Sequence, residues 1–194
     1  MRSDAFWDVL QRFAVNSEAN RPSAALSSMV FRKYGFDYVP PSYDLTMVYF
    51  GENRVCSDND RFWICVPEHS QRYYSIDKLA QAFRDKCNWW KETFGNDWRL
   101  IPNQQLSAQA PNIQCVNLLP LFCNTEYDHW LCFNKDVLNA NQEPEVLHFD
   151  FGNQKLINKH NGLAELLDAV SRGSFCEDIL RDDKGRIMME SFPR

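Results

Sequence analysis

The chain of 194 residues has few glycines and lacks the sequence motifs in which glycines bind phosphates. Its seven glycines are spread along the whole sequence, so no Gly-rich loop could cradle a phosphate with backbone amides. The zinc-protease motif HExxH and the calcium-binding EF-hand loop are missing as well. The sequence therefore gives no support to the common phosphate-binding, dinucleotide-binding, zinc-protease and calcium-binding classes.

Long apolar runs and clusters of basic residues are also missing. No run of about 18 apolar residues occurs that would cross a membrane. The N-terminus carries Asp4 and Asp8, whereas a signal peptide would begin with a positive end and an apolar block. We therefore expect a cytoplasmic protein that makes no membrane contact. Lys and Arg nowhere form the cluster that displaces counterions from nucleic-acid phosphates, so direct DNA or RNA binding is not expected.

The cysteines do not form a metal-binding or disulfide pattern. There are seven of them, an odd number, and none belongs to a CxxC pair. Most stand in apolar strings such as Trp63-Ile64-Cys65-Val66. This pattern favours buried, reduced thiols, which are typical of cytosolic proteins.

The overall composition is that of a globular protein: 44% of the residues are hydrophobic and 24% are charged. The length allows one domain over residues 1–194 with a substantial core. Apolar residues recur at helical spacing over 4–14, 24–34, 76–94 and 162–170, which predicts four helices. Glycines at 35, 95 and 173 stand where three of these helices would end.

Strands are predicted over residues 45–50, 61–66, 113–122, 130–134 and 146–151, where β-branched, aromatic and apolar residues gather. The first two runs, with a polar stretch between them, are interpreted as a hairpin with a longish loop. Pro40-Pro41 blocks any continuation of the helix that precedes them. In the last run Val146, His148 and Asp150 alternate with apolar residues, which is the pattern of a half-buried strand. Helices and strands together predict an α+β domain.

One stretch carries the net negative charge of the chain. Residues 126–150 contain six acids against a single base, Lys135, and this difference of -5 equals the formal net charge of the whole protein. The six acids are Glu126, Asp128, Asp136, Glu143, Glu145 and Asp150. Such a stretch is interpreted either as a solvated turn between strands or as a surface that attracts a basic partner.

Four segments in the C-terminal half carry a family resemblance: Leu118-Leu119-Pro120-Leu121, Asp128-His129-Trp130-Leu131-Cys132-Phe133, Glu145-Val146-Leu147-His148-Phe149-Asp150 and Leu163-Ala164-Glu165-Leu166-Leu167. Their order and spacing resemble the SMI1/KNR4-like (SUKH) superfamily over residues 116–173. The resemblance implies a single α+β domain with a curved, mostly antiparallel sheet flanked by helices. It also implies a protein-binding role, commonly as a bacterial immunity protein that neutralises a toxin, and elsewhere as a regulatory or scaffold module.

On this interpretation the protein is not an enzyme and needs no cofactor or metal. The residues expected to contact a partner protein are Glu126, Asp128, Trp130, Glu143 and Glu145, together with Trp89 on the long predicted helix. Trp89 lies one step round that helix from the apolar stripe, so it would either cover the rim of the sheet or anchor a partner. The expected partner is a toxin domain with a basic surface, such as a nuclease.

Two chemical alternatives were weighed against this interpretation. Cys123, His129 and Asp150 supply the residue types of a cysteine hydrolase, although no local signature surrounds Cys123. His148 and Asp150 should share one face of a strand, and His129 would complete a metal-binding set of three. Histidines that are partly buried and satisfied by hydrogen bonds are the simpler explanation.

Overall fold

The computed structural model describes residues 3–14, 24–50, 53–55, 62–64, 76–94, 101–102, 118–124, 129–150, 155–173 and 180–191. Within these ranges there are five helices, α1 (Ser3–Leu10), α2 (Ala24–Lys33), α3 (Pro41–Phe50), α4 (Ile76–Phe94) and α5 (Leu163–Ser171). The predicted helices over 24–34, 76–94 and 162–170 are confirmed to within one residue or two at each end. Gly35 and Gly173 follow α2 and α5 with φ angles of 82° and 78°, which favour glycine.

The same ranges contain nine strands: β1 (Phe13–Ala14), β2 (Asn53–Val55), β3 (Phe62–Ile64), β4 (Ile101–Pro102), β5 (Leu118–Asn124), β6 (His129–Leu138), β7 (Pro144–Asp150), β8 (Lys155–His160) and β9 (Ile187–Ser191). Their order across the sheet is β1-β9-β2-β3-β5-β6-β7-β8-β4. The pairings are antiparallel except for β1 with β9 and β4 with β8. The predicted α+β class is therefore confirmed.

The central strands β6 and β7 are covered on both faces. Trp130 pairs with Phe149, and both rings contact Phe83 of α4 at centroid distances of 5.6 and 6.1 Å. Phe133 occupies an alternate position on β6, so it lies on the opposite face.

On that opposite face Phe133 contacts the rings of Phe31, Phe36 and Tyr43, at centroid distances of 6.3, 6.4 and 6.4 Å. These three rings belong to α2, to the segment that follows it and to α3. Helices therefore pack on both sides of the sheet, with α4 on one side and α2 and α3 on the other.

The strand predicted over residues 45–50 is wrong, because these residues form the second half of α3. Pro41 stands in the first turn of this helix, where a missing N–H group costs no hydrogen bond. The buried residues of α3 are Ser42, Tyr43, Thr46, Met47 and Phe50, which is the spacing of one helix face. Packing of that face has overridden the high β propensity of the run.

The pairings of the N-terminal half also differ from the prediction. Strand β3 lies between β2 and β5, and β2 belongs to the polar stretch for which the sequence predicts a loop. The first helix ends at Leu10 rather than continuing to Ala14, because Phe13 and Ala14 pair in parallel with β9. Strands β8 and β9 were not predicted. The predicted N-terminal part of the 113–122 strand and residue 151 lie outside the described residues.

Strand β7 is buried along its whole length and not on one face only. His148 and Asp150 do lie on the face opposite Leu147 and Phe149, as the alternation predicted, but each is only 7% exposed. The half-buried assignment is therefore wrong, because helices cover both faces of this strand. Cys87 and Cys132 are buried, as was expected for these thiols. Among the helices in the described ranges, none combines the length and apolar character that a membrane crossing requires.

Phe133 is the ring on which three aromatic side chains converge, so its removal should destabilise the fold strongly. We expect Phe133→Ala to lower the free energy of unfolding by about 3–5 kcal/mol. Val137→Ala on the same strand is the matched control; Val137 is 43% exposed, and its truncation should cost less than about 1 kcal/mol. Urea unfolding followed by tryptophan fluorescence measures both values. Equal losses for the two variants would contradict the described packing.

Candidate functional site

A groove of about 580 Å³ opens on the side of the sheet that carries α1, α3 and α5. We call it the helix-side groove. Its apolar lining comes from the three helices, which contact one another. Its polar lining comes from the turns next to them and from Ser42, Glu165 and Asp168 on α3 and α5. The lining residues are Phe6, Val9, Pro41, Ser42, Leu45, Asn139, Asn141, Glu143, Asn161, Gly162, Leu163, Ala164, Glu165 and Asp168.

The turn between β6 and β7 forms one end of the groove, and the side chain of Asn139 holds its shape. The Oδ1 atom of Asn139 accepts hydrogen bonds from the backbone N–H groups of Asn141 and Glu143, at 2.8 and 3.1 Å. Its Nδ2 atom donates to the carbonyl oxygen of Asn161 at 2.6 Å. One side chain thus joins the β6–β7 turn to the turn that precedes α5.

Gly162 lies between these two turns and requires a glycine. Its φ angle is 124°, and a Cβ atom there would lie 3.2 Å from Nδ2 of Asn139 and 3.6 Å from Cβ of Glu143. A larger residue would therefore strain the backbone and crowd the end of the groove.

Two carboxylates at this end of the groove hold the N-terminal ends of helices. Oε1 of Glu143 accepts a hydrogen bond from the backbone N–H of Ser42 at 3.0 Å, and Oε2 accepts one from its hydroxyl at 2.5 Å. Oε2 of Glu165 accepts a hydrogen bond from the backbone N–H of Asn161 at 3.0 Å. Negative charge is favourable at these positions because the helix dipole is positive at its N-terminus. Each carboxylate therefore has a structural role as well as facing the groove.

The third carboxylate of the groove is already compensated by arginines. Oδ1 of Asp168 lies 2.7 Å from Nη1 of Arg12, and Arg172 forms an ion pair with the other oxygen. In the part of the chain that the structure describes, no ion pair joins Glu143 or Glu165 to a lysine or arginine, and neither base type lines the groove. The end formed by the turns is therefore electronegative.

Two of the residues expected to bind a partner are buried inside the protein. Trp130 is 5% exposed and packs against Phe83. Glu145 is 5% exposed; its Oε1 accepts a hydrogen bond from Asn134 at 2.8 Å, and its Oε2 lies 3.1 Å from Nζ of Lys159. As a correction to the sequence expectation, neither side chain lies on the surface of the free chain. The acidic stretch is not one continuous exposed patch, because Glu145 and Asp150 both point into the fold.

The other predicted contact residues have different positions. Glu143 lines the helix-side groove, as described above. Trp89 is 55% exposed on α4, on the face of the sheet opposite to α3. Glu126 and Asp128 lie outside the described residues. Sequence reasoning missed Glu165 and Asp168, although the position of Glu165 in the first turn of a predicted helix was a usable signal.

A second polar cluster lies on β6 and β7, at the end of the strands away from the groove. Nδ1 of His129 is 3.0 Å from Nε2 of His148, and Nε2 of His129 is 3.9 Å from Oδ2 of Asp150. The contact between His129 and His148 is a hydrogen bond in which one ring donates and the other accepts. The cluster therefore matches the simpler explanation given above, histidines satisfied by hydrogen bonds.

Burial, followed by the nearby charges of His129 and His160, lowers the pKa of His148 to about 3, against the opposing effect of Asp150. Burial also lowers the pKa of His160, against the opposing charge of Glu165. His148 is consequently neutral at physiological pH.

The two chemical alternatives have different outcomes in the structure. The proposed metal set is brought together, yet no group of three or more His, Cys, Asp or Glu within the described ranges is arranged to hold a metal ion. For the hydrolase, the register pairs Cys123 with Trp130 and pairs His129 with Asp150. Cys123 is therefore paired with a different position of β6 from the one that is paired with Asp150. The register thus gives no support to that triad.

No family model matches the chain, and a search of the curated proteins returns no match.

We expect His148 to make the fold sensitive to acid. Its pKa is about 3 in the folded protein against the ordinary histidine value of 6.5, so between these pH values the unfolded chain binds a proton that the folded chain does not. The contribution of neutral His148 to the free energy of unfolding is fully present above pH 6.5 and is lost as the pH falls toward 3. Between pH 6.5 and 5 the free energy of unfolding of the wild type should fall by about 1–2 kcal/mol more than that of His148→Gln.

Urea unfolding at a series of pH values measures this difference, and NMR titration of the His148 ring checks its cause. The ring signals should not move between pH 8 and pH 5. Parallel stability curves for the two proteins, or a ring that titrates near pH 6, would contradict the prediction.

Proposed function

We propose that this chain is a protein-binding domain of the immunity type, which neutralises a bacterial toxin by forming a direct complex with it. The observation that carries the proposal is the helix-side groove, in which an apolar lining meets two carboxylates that no described base compensates. Such a surface is suited to a partner with a basic face, such as a nuclease, because complementary charge speeds association and excludes wrong partners.

The construction of the groove supports a binding role. Its walls are helices, and the hydrogen bonds of Asn139 hold the two turns at its end. A surface that is already rigid in the free protein loses little conformational entropy when a partner binds. Preorganised binding of this kind is what a neutralising protein requires.

The order of elements also supports the proposal. The four segments that resemble the SMI1/KNR4-like superfamily fall on β5, β6, β7 and α5, as three consecutive antiparallel strands and one helix. This is the kind of architecture that the resemblance implies. An immunity role remains our inference from that resemblance and from the groove.

The deciding experiment mixes the purified chain with the toxin domain encoded beside its gene. We expect a stable complex at micromolar concentrations or below, and protection of cells that express the toxin. The proposal would be rejected if the two proteins formed no complex at micromolar concentration and if the toxin killed cells that express this chain as fast as cells that lack it.

The charge of the groove gives a quantitative prediction for that complex. In the double variant Glu143→Gln and Glu165→Gln, we expect the association rate at low salt to fall by about threefold to tenfold and to depend less on salt. Glutamine keeps one acceptor oxygen for the backbone N–H group at each helix end, and its amide N–H can donate to the hydroxyl of Ser42, so the fold should be preserved. Stopped-flow association at several salt concentrations measures the effect.

The matched control is Glu92→Gln, which removes an exposed carboxylate from α4 on the other face of the sheet. Trp89→Ala tests whether the exposed tryptophan on that helix is part of the interface. Both variants should associate like the wild type. A large effect of Trp89→Ala without any effect of the double variant would move the interface to α4.

A further inference from the structure

We propose that the helix-side groove binds an arginine-bearing segment of the partner protein, with the guanidinium group between the carboxylates of Glu143 and Glu165. This inference rests on the proposed function in one respect, since it names the chemistry by which the partner is recognised. It also makes predictions that are independent of any toxin.

The size of the groove selects a short segment of polypeptide. Its volume of about 580 Å³ lies within the roughly 300–1,000 Å³ that is typical of ligand sites. One side chain would leave most of it empty. The apolar lining from Val9, Leu45 and Leu163 suits the aliphatic stem of a long side chain and the apolar residues next to it.

The charge of the groove selects a cation. Glu143 and Glu165 both line the groove near the end formed by the two turns, where Gly162 also lies. An anionic segment would be repelled there. A neutral segment would leave both charges facing an apolar partner with reduced access to water, which is unfavourable.

The hydrogen-bonding state of the two carboxylates favours arginine over lysine. Each already accepts hydrogen bonds from a helix end, in directions fixed by the backbone. Every carboxylate oxygen can accept more than one hydrogen bond, so acceptor capacity remains. A guanidinium group offers five N–H donors in one plane and is weakly hydrated, so it can bridge two separate carboxylates.

The protein itself shows guanidinium–carboxylate pairing at the same groove. The carboxylate of Asp168 pairs with both Arg12 and Arg172, which come from outside the lining. The proposed contact uses the same two kinds of group in the opposite ratio, with one arginine of the partner between two carboxylates.

The test uses the full chain and a capped tripeptide, N-acetyl-Leu-Arg-Leu-amide, observed by NMR of the backbone amides. We expect saturable shifts at Leu45, Gly162 and Ala164, with a dissociation constant on the order of 1 mM for so short a ligand. Replacing arginine by citrulline, which has a similar shape and no charge, should weaken binding at least about fivefold. Glu165→Gln should weaken binding of the arginine peptide by about threefold, and Glu92→Gln should leave it unchanged.

Equal affinity for the arginine and citrulline peptides, shifts that map elsewhere, or no binding at all would overturn the inference. Its failure can be told apart from failure of the proposed function. A toxin that binds the wild type and the double glutamine variant equally well would reject the arginine site and retain the immunity role. If the chain bound the arginine peptide and formed no complex with the toxin, the arginine site would be retained and the immunity role would be rejected.

Discussion

Burial of both faces of the β6–β7 hairpin is the constraint on which the rest of the structure depends. Phe133 on one face and Trp130 with Phe149 on the other must all be removed from water. A single layer of helices would cover only one of these faces. Helices from distant parts of the chain therefore pack on both sides, with α4 against Trp130 and Phe149.

The same constraint decides which polar groups remain available for contact. Acidic residues within the hairpin strands are drawn into the fold with their neighbours, and they persist there only because they are paired. Glu145 bonds to Asn134 and lies beside Lys159, and the carboxylate of Asp150 lies 3.9 Å from His129. Burying a charged or polar group without a partner would cost several kcal/mol.

The acidic residues near the β6–β7 turn have a different role, because they form hydrogen bonds with the N-terminal ends of helices. Glu143 leaves the sheet at this point and reaches the N-terminal end of α3, while Glu165 holds the beginning of α5. Both helix ends face one groove. The carboxylates that complete the fold are therefore the same groups that give the groove its charge, which links the stability of this region to its capacity for binding.

The sequence by itself determined the elements whose signal is local. The long apolar stripe of α4, the glycines after α2 and α5, and the central strands are all visible in residue spacing, because backbone geometry sets the period of burial. Only the tertiary structure decided that residues 45–50 are helical, since the capping of α3 comes from Glu143, which is 101 residues away from Ser42. It also decided that Trp130 and Glu145 are buried and that Glu165 joins Glu143 at one groove. Such facts depend on which faces meet, and no spacing within a single segment records that.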